Sequence, residues 1–310
     1  MPWTKVYLDK EDFEKASKLA DQGLRGFTYR DAIKEALTQM LEKDESVFVM
    51  GEGIDDPGGT FGTTTNLHKK FGAERVFDIP IAENGMTGVA IGAALAGMKP
   101  VFVHMRVDFL PMCMDQIINH AAKWHYMFGG KVNVPLVIRS IIGRGWGSAA
   151  QHSQSLQALF AHIPGLKVVM PSTPYDAKGL LIASIEDGNP IIFIEHRWLY
   201  EQIGHVPEKI YTVPIGKGIV RKEGKDVTIA ATSFMVYEAM KAAAVLEKDG
   251  INVEVVDLRT LKPLDEDIIC ESVKKTGRLI VADTGWKTCG IGAEVVATVA
   301  EKALKYHRRC

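Results

Sequence analysis

Cysteine is scarce: Cys113, Cys270, Cys289 and Cys310 are the only four in 310 residues, and none forms a C-x-x-C pair. Spacings this wide argue against a disulfide framework or a structural zinc site, and point to a reducing, cytoplasmic setting. Charge of one sign is also lacking. Lys and Arg number 37 against 38 Asp and Glu, for a formal net charge of −1. Nothing electrostatic therefore recommends nucleic acid or an anionic membrane as a partner. No apolar run approaches the roughly 18 residues that span a bilayer. The charged start MPWTKVYLDKEDFEKASK has no apolar centre of the kind a secretory signal needs. Phosphate loops are missing too: no G-x-G-x-x-G follows a candidate strand, and no G-x-x-x-x-G-K-[ST] occurs.

What is present is an alternation of strand and helix. The apolar share is 46%, ample for packed cores, and the length suits about two domains. The strands expected are Val47–Glu52, Val76–Pro80, Pro100–Met105, Val134–Ser140, Leu166–Pro171 and Pro190–His196. Between them Tyr29–Lys43, Asn84–Gly97, Met112–Tyr126, Ser155–His162 and Pro174–Asp187 read as helices, with Thr28 and Asp31 placed to cap the first. Strands apolar throughout, such as PLVIRS and PIIFIEH, suit a parallel sheet covered on both faces. The pattern predicts an α/β fold: a doubly wound parallel-sheet domain over residues 27–200, after an N-terminal extension over 1–26. Residues 201–226 read as a linker with one short strand. A smaller α/β domain over 227–310 follows, with strands Val227–Ser233, Val253–Leu258 and Leu279–Asp283. Its helices are Val236–Lys248, Asp265–Lys275 and Ile291–Leu304, and Gly250 and Gly277 stand at C-cap positions. Two doubly wound units without a phosphate loop mean a ligand that is not a nucleotide, or a phosphate site on another chain.

Three stretches carry a resemblance: VFDIPIAENGMTGVAIGAALAGMKPV, FLPMCMDQIINHAAKWHYMFGGKVNVPLVIR and AAQHSQSLQALFAHIPGLKVVMPSTPYDAKGLLIASIEDGNPIIFIE. They resemble the beta subunit of the decarboxylating component of 2-oxo acid dehydrogenases of the pyruvate and branched-chain type, within the transketolase-like superfamily. VEVVDLRTLKPLDEDIICESVKKTGRLIVADT is similar to that family's transketolase C-terminal-like domain. The likeness runs from Thr28 to Leu304. It implies thiamine diphosphate shared between two chains, with Mg²⁺ and the diphosphate held by a partner alpha subunit through a G-D-G motif. This chain has no GDG. The resemblance also implies a beta dimer within an α₂β₂ heterotetramer, and a 2-oxo acid decarboxylated only by the pair.

The same resemblance assigns roles. Thiamine diphosphate reacts through the C2 carbanion of its thiazolium ring, with its own 4′-imino group as base. A carboxyl group bonded to ring N1′ drives that tautomer, and a dry site keeps its proton shareable. Glu83 matches this carboxylate; read without the family, it is a first-turn glutamate stabilised by the helix dipole. Phe109 matches the aromatic stacked on the aminopyrimidine and Ile81 the apolar contact that bends the cofactor, though each could be a core residue. His152, in the loop GRGWGSAAQHSQS, matches a histidine that donates a proton or hydrogen bond to the substrate or during transfer to a lipoyl arm. Imidazole chemistry suits that task, while a lone loop histidine is ordinarily just solvated. Glu52 and Asp115 match acids of a proton relay between two active sites, or are ordinary carboxylates. Leu136, Ser184, Asp187 and Asn189 match positions whose oxygens, mostly backbone carbonyls, hold a structural potassium ion.

The chain departs from the pattern in places. Arg144 and Trp146 stand where the loop before His152 is usually built of small residues, and His104 and Arg106 precede Phe109 where the pattern is uncharged. Facing the site, these side chains narrow it, make it more cationic and read a substrate larger or more anionic than pyruvate; facing away, they serve structure. The sequence ends soon after Leu304, where family members continue for a strand and helix that help dock a lipoyl acyltransferase core, so no docking to such a core is expected with assurance. Two alternatives stand beside the dehydrogenase reading: half of a split transketolase-like carboligase or decarboxylase, and a non-catalytic paralogue.

Overall fold

The computed structural model describes residues 2–19, 24–145 and 147–306. Trp146, expected in the substrate loop, lies outside the described residues.

In the first domain α1 (Lys10–Leu19) and β1 (Gly26–Thr28) precede α2 (Tyr29–Lys43). Then follow β2 (Val47–Gly51), α3 (Leu67–Phe71), β3 (Val76–Asp78), α4 (Glu83–Leu95), β4 (Lys99–His104), α5 (Trp124–Met127), β5 (Val137–Ile142), α6 (Gln157–Ala161), β6 (Lys167–Val169), α7 (Pro174–Glu186) and β7 (Ile191–His196). Local chemistry sets the helix starts. The Thr28 side chain accepts from the Asp31 N–H, and its hydroxyl donates to the Asp31 carboxylate at 2.6 Å. Thr173 and Asp176 repeat this at α7, with Pro174 in the first turn, where its missing N–H costs nothing.

Residues 201–226 contain two strands rather than one. The strand β8 (Ile203–His205) pairs antiparallel with β1, and β9 (Ile219–Lys222) joins the sheet of the second domain. That domain continues with β10 (Val227–Ala231), α8 (Met235–Leu246), β11 (Val253–Asp257), β12 (Thr260–Lys262), α9 (Glu266–Thr276), β13 (Leu279–Ala282) and α10 (Ile291–Lys302). Gly277 closes α9 in the left-handed conformation, and Gly250 closes the 3-10 turn after α8 in the same way.

The main sheet runs β12-β6-β7-β5-β4-β2-β3, parallel except for β12. That edge strand belongs to the second domain by sequence, so the two domains share one sheet. One face packs on α2 and α7. The other packs on α4 and α6, and its core runs on into α9 and α10, which cover the sheet of the second domain. Each fully buried Val, Leu or Ile contributes about 1.5–3 kcal/mol, which makes this continuous core the principal tie between domains. An ionic rivet adds to it. Asp176 pairs with Arg259 at 2.7 Å and with Arg221, which also reaches Asp257 at 2.8 Å; the pairing side chains are at most 9% exposed.

One expected helix does not form as such. The stretch 112–126 is divided among a 3-10 helix Val107–Cys113, a π-helix Gln116–Ala121 and α5. Pro111 supplies no N–H for regular helix bonding. A π turn absorbs an extra residue, and such turns often mark functional segments.

Strand order reverses between β2 and β4. In a doubly wound sheet, ligands bind in the crevice outside the carboxyl ends of strands at such a switch point.

Candidate active site

The carboxyl ends of neighbouring strands deliver the candidate residues to that crevice. Glu52 follows β2, Glu83 heads the helix after β3, Phe109 follows β4, and the loop bearing His152 follows β5. These are the residues that sequence patterns place at strand ends, where backbone turns leave side chains facing outward.

Glu83 is only 4% exposed. It opens α4, where a negative charge meets the positive end of the helix. Its carboxylate makes no ion pair among the described residues. Glu52 is half-buried, and its Oε1 is buried without a hydrogen-bond partner. Burial first, then the charges of Glu83 and Asp78, raises the Glu52 carboxyl above its ordinary range. Burial, opposed by a bond to Thr87 and assisted by Glu83 and Glu52, likewise pushes the Cys113 thiol up to about 11. Like charges without a cation between them favour holding a proton, so this corner is a place where a proton can be kept and shared. Asp115 is not part of it. It is exposed, accepts from Asn119 at 2.8 Å and lies 3.9 Å from His120.

Phe109 and His152 are brought together. Their rings meet edge to face, with centroids 5.2 Å apart and planes at 82°. Both are half-buried, and Ile81 is 84% exposed, so neither Phe109 nor Ile81 is a core residue. The carboxyl ends of β3, β4 and β5 thus carry a buried carboxylate, a half-buried aromatic pair and an exposed apolar side chain. Such an arrangement fits one side of a flat heteroaromatic ring.

The loop carrying His152 is held at two points. Gly143, at φ +90°, approaches His196 so closely that a Cβ would lie 2.7 Å from its ring. The Gly143 carbonyl accepts from Arg106 Nη1 at 2.6 Å. Further along, the Gln154 N–H donates to Asp108 Oδ1 at 3.1 Å. Ala149, at φ +50°, stores strain just before His152. Arg144 is exposed on this loop, its guanidinium 5.7 Å from the Trp198 ring, whose indole N–H donates to the Arg144 carbonyl at 2.8 Å.

Two expectations about charge part company. Arg106, 8% exposed, brings a buried guanidinium to the crevice. His104 does not add charge: it is 3% exposed, and burial pushes its imidazole down to about 3, keeping it neutral. His196, stacked on Phe234, is pushed down to about 4 by burial and then by Arg106. Asp108, Arg197 and Trp198 were not singled out from the sequence. The only signal there was their position just after a strand.

Of the positions matched to a potassium site, Ser184 and Asp187 lie at the end of α7, Asn189 just beyond it and Leu136 just before β5. The Leu136 carbonyl accepts from Ile191 N–H at 2.9 Å, and Asn189 donates to Asp187 at 2.8 Å. Ser184 and Asp187 carry carbonyls from the last turn, where unpaired acceptors are available to a cation. Lys167 pairs with the Asp187 carboxylate at 2.5 Å, so backbone oxygens rather than that side chain would serve an ion.

Comparison with known proteins bears on the two domains. The family model "Transketolase, pyrimidine binding domain" matches residues 25–202, and "Transketolase, C-terminal domain" matches residues 216–309. The beta subunit of acetoin:2,6-dichlorophenolindophenol oxidoreductase from Cupriavidus necator is 49% identical over 290 residues, covering 90% of this chain and 86% of that protein. The pyruvate dehydrogenase E1 component subunit beta of Rickettsia bellii is 47% identical over 279 residues, covering 90% and 86%. Among solved structures, a split-gene transketolase described as an inactive beta4 tetramer superposes with a TM-score of 0.74 at 26% identity, covering 90% of this chain and 87% of that one.

Proposed function

The chain belongs to the transketolase family, with its pyrimidine-binding and C-terminal domains, and from that premise we propose that it is the beta half of a thiamine-diphosphate-dependent 2-oxo acid dehydrogenase, active only with an alpha partner. The relatives named as beta subunits support the pairing. The observation that carries the reading is that buried Glu83, after β3, and the Phe109–His152 ring pair, after β4 and β5, stand at the carboxyl ends of strands of one parallel sheet.

When bound, thiamine diphosphate supplies the nucleophilic ring carbon and the electron sink for decarboxylation. This chain's residues do the rest of the work on their side. Glu83 holds a proton shared with the pyrimidine N1′, and its dry surroundings keep that proton mobile. Phe109 would offer its face to the pyrimidine, and Ile81 would supply the apolar contact that bends the cofactor. His152 donates from a ring nitrogen to the substrate. Glu52 stores a proton beside Glu83, while Asp115, exposed and apart from that corner, takes no part on this chain's side. Arg144 and Trp146 belong to the loop that reads the substrate. Potassium, held by the oxygens of Leu136, Ser184, Asp187 and Asn189, would brace the end of α7, and Mg²⁺ belongs with the partner.

A second reading, favoured by the 49% identity to an acetoin oxidoreductase subunit, is cleavage of a hydroxyketone by the same machinery. The test of both is calorimetric titration of thiamine diphosphate with Mg²⁺ into the chain alone and into its complex with an alpha chain. Alone it should bind negligibly and form a beta dimer by light scattering; with the partner it should bind as an α₂β₂ assembly. Low-micromolar binding without a partner, or a monomer, refutes the divided site.

A further inference from the structure

Two guanidinium groups from distant parts of the sequence meet over one ring. Arg106, following β4, and Arg197, following β7, have their Cζ atoms 5.6 and 4.6 Å from the Phe61 centroid. Phe61 sits in the loop after β2 at φ +48°, a conformation that non-glycine residues adopt only when their surroundings impose it. Among the described residues neither arginine forms an ion pair. Arg106 spends Nη1 on the Gly143 carbonyl, and Arg197 faces only the rings of Phe61 and Tyr200. Asp108 sets its charge against Arg106 without forming an ion pair with it, and Arg197 has no acid of its own among the described residues. Glu195 pairs with buried Arg139 at 2.6 Å, Glu201 with Arg30 at 2.8 Å, and Asp108 Oδ1 accepts from Gln154.

Two neighbouring cations facing one carboxylate, Asp108, keep a positive excess that a further anion would offset. Resting a guanidinium on an aromatic face leaves its edge N–H groups free, and two such forks suit an oxyanion, which they can bind with paired, charge-assisted bonds. The pair also has the right address. Arg106 lies between His104 and Phe109 in sequence and grips the root of the loop that carries His152.

We propose that Arg106 and Arg197, braced on Phe61, form a subsite for a second oxyanion of the substrate, a carboxylate or phosphate remote from the reacting carbonyl. This rests on the proposed function and narrows its substrate class.

The direct test is calorimetry of the purified full-length chain with glutarate and with inorganic phosphate. The wild type should bind at least one, the preferred anion telling carboxylate from phosphate, and Arg197→Gln should weaken it about 10- to 100-fold, the range expected for one lost charge-assisted contact. In the complex with the alpha chain, Arg197→Gln should raise the ratio of KM for 2-oxoglutarate to KM for 2-oxobutanoate by a similar factor. Arg106→Gln should act in the same direction, and Arg197→Gln decides if that variant fails to fold because Gly143 is released. Absence of anion binding by the wild type, an equal KM change for both substrates, or a loss confined to assembly with the alpha chain would overturn the subsite. If the wild-type complex fails to bind thiamine diphosphate, the functional reading falls while calorimetry on the single chain still decides the subsite.

Discussion

Asp108 is the residue on which the placement of His152 turns. It is 9% exposed, and its Oδ1 accepts the Gln154 N–H at 3.1 Å, tying the loop that bears His152 to the 3-10 segment that carries Phe109. A hydrogen bond to a charged acceptor contributes about 1.5–3 kcal/mol. At about 1.36 kcal/mol per factor of ten, Asp108→Ala should raise the frequency of local loop opening roughly 10- to 150-fold. Amide hydrogen exchange on the purified chain reads this at Gln154 without any partner. Asp108→Asn keeps a carbonyl acceptor in place and should retain much of the protection. In the alpha–beta complex, Asp108→Ala should lower kcat by about tenfold or more, because His152 no longer sits against Phe109 for most of the time. Unchanged Gln154 exchange in Asp108→Ala would refute the tether. Faster exchange with unchanged kcat would show that turnover does not depend on this loop position.

Other substitutions probe the rest of the structure. Asp176→Ala leaves buried Arg221 and Arg259 without a shared counter-charge and should destabilise the chain by about 3–5 kcal/mol in urea denaturation; a loss under about 1 kcal/mol would deny the rivet its role. Burial pushes the Asp176 carboxyl up, but Arg221 and Arg259 overcome it and hold it below its ordinary value. Its stabilisation should therefore be present above the unfolded carboxylate pKa and vanish as pH falls through the folded one, a dependence that Asp176→Asn should lack. Glu83→Gln should cost the complex about 10²-fold or more in turnover while weakening thiamine diphosphate binding less, and it should bring the Glu52 carboxyl down toward its ordinary range; full activity in the mutant would remove Glu83 from the chemistry. Arg144→Ala should raise KM for the true substrate and spare kcat, whereas kinetics indifferent to it, with efficient use of pyruvate, would mean the loop does not read the substrate.

Much of this molecule is local and therefore legible in sequence. Thr28 with Asp31 and Pro174 after Thr173 announce helix starts through bonds formed within one turn. The apolar strands β5 and β7, buried along their whole length, announce a covered parallel sheet. Glu83, Phe109 and His152 stand in motifs at strand ends, and the absence of any phosphate loop leaves a ligand that is not a nucleotide or a phosphate site on another chain. What sequence could not decide depends on which strands become neighbours and on what each side chain is packed against. The antiparallel strand β12 crosses to the sheet of the first domain because hydrogen-bonding edges pair in space, not along the chain. A single helix through 112–126 gives way to 3-10, π and short α turns. His104 and Arg106 read alike as added positive charge, yet burial discharges the imidazole and cannot discharge the guanidinium, whose pKa starts far too high. Arg106 and Arg197 lie far apart in sequence, and only the order β7-β5-β4-β2 sets them on the same phenylalanine.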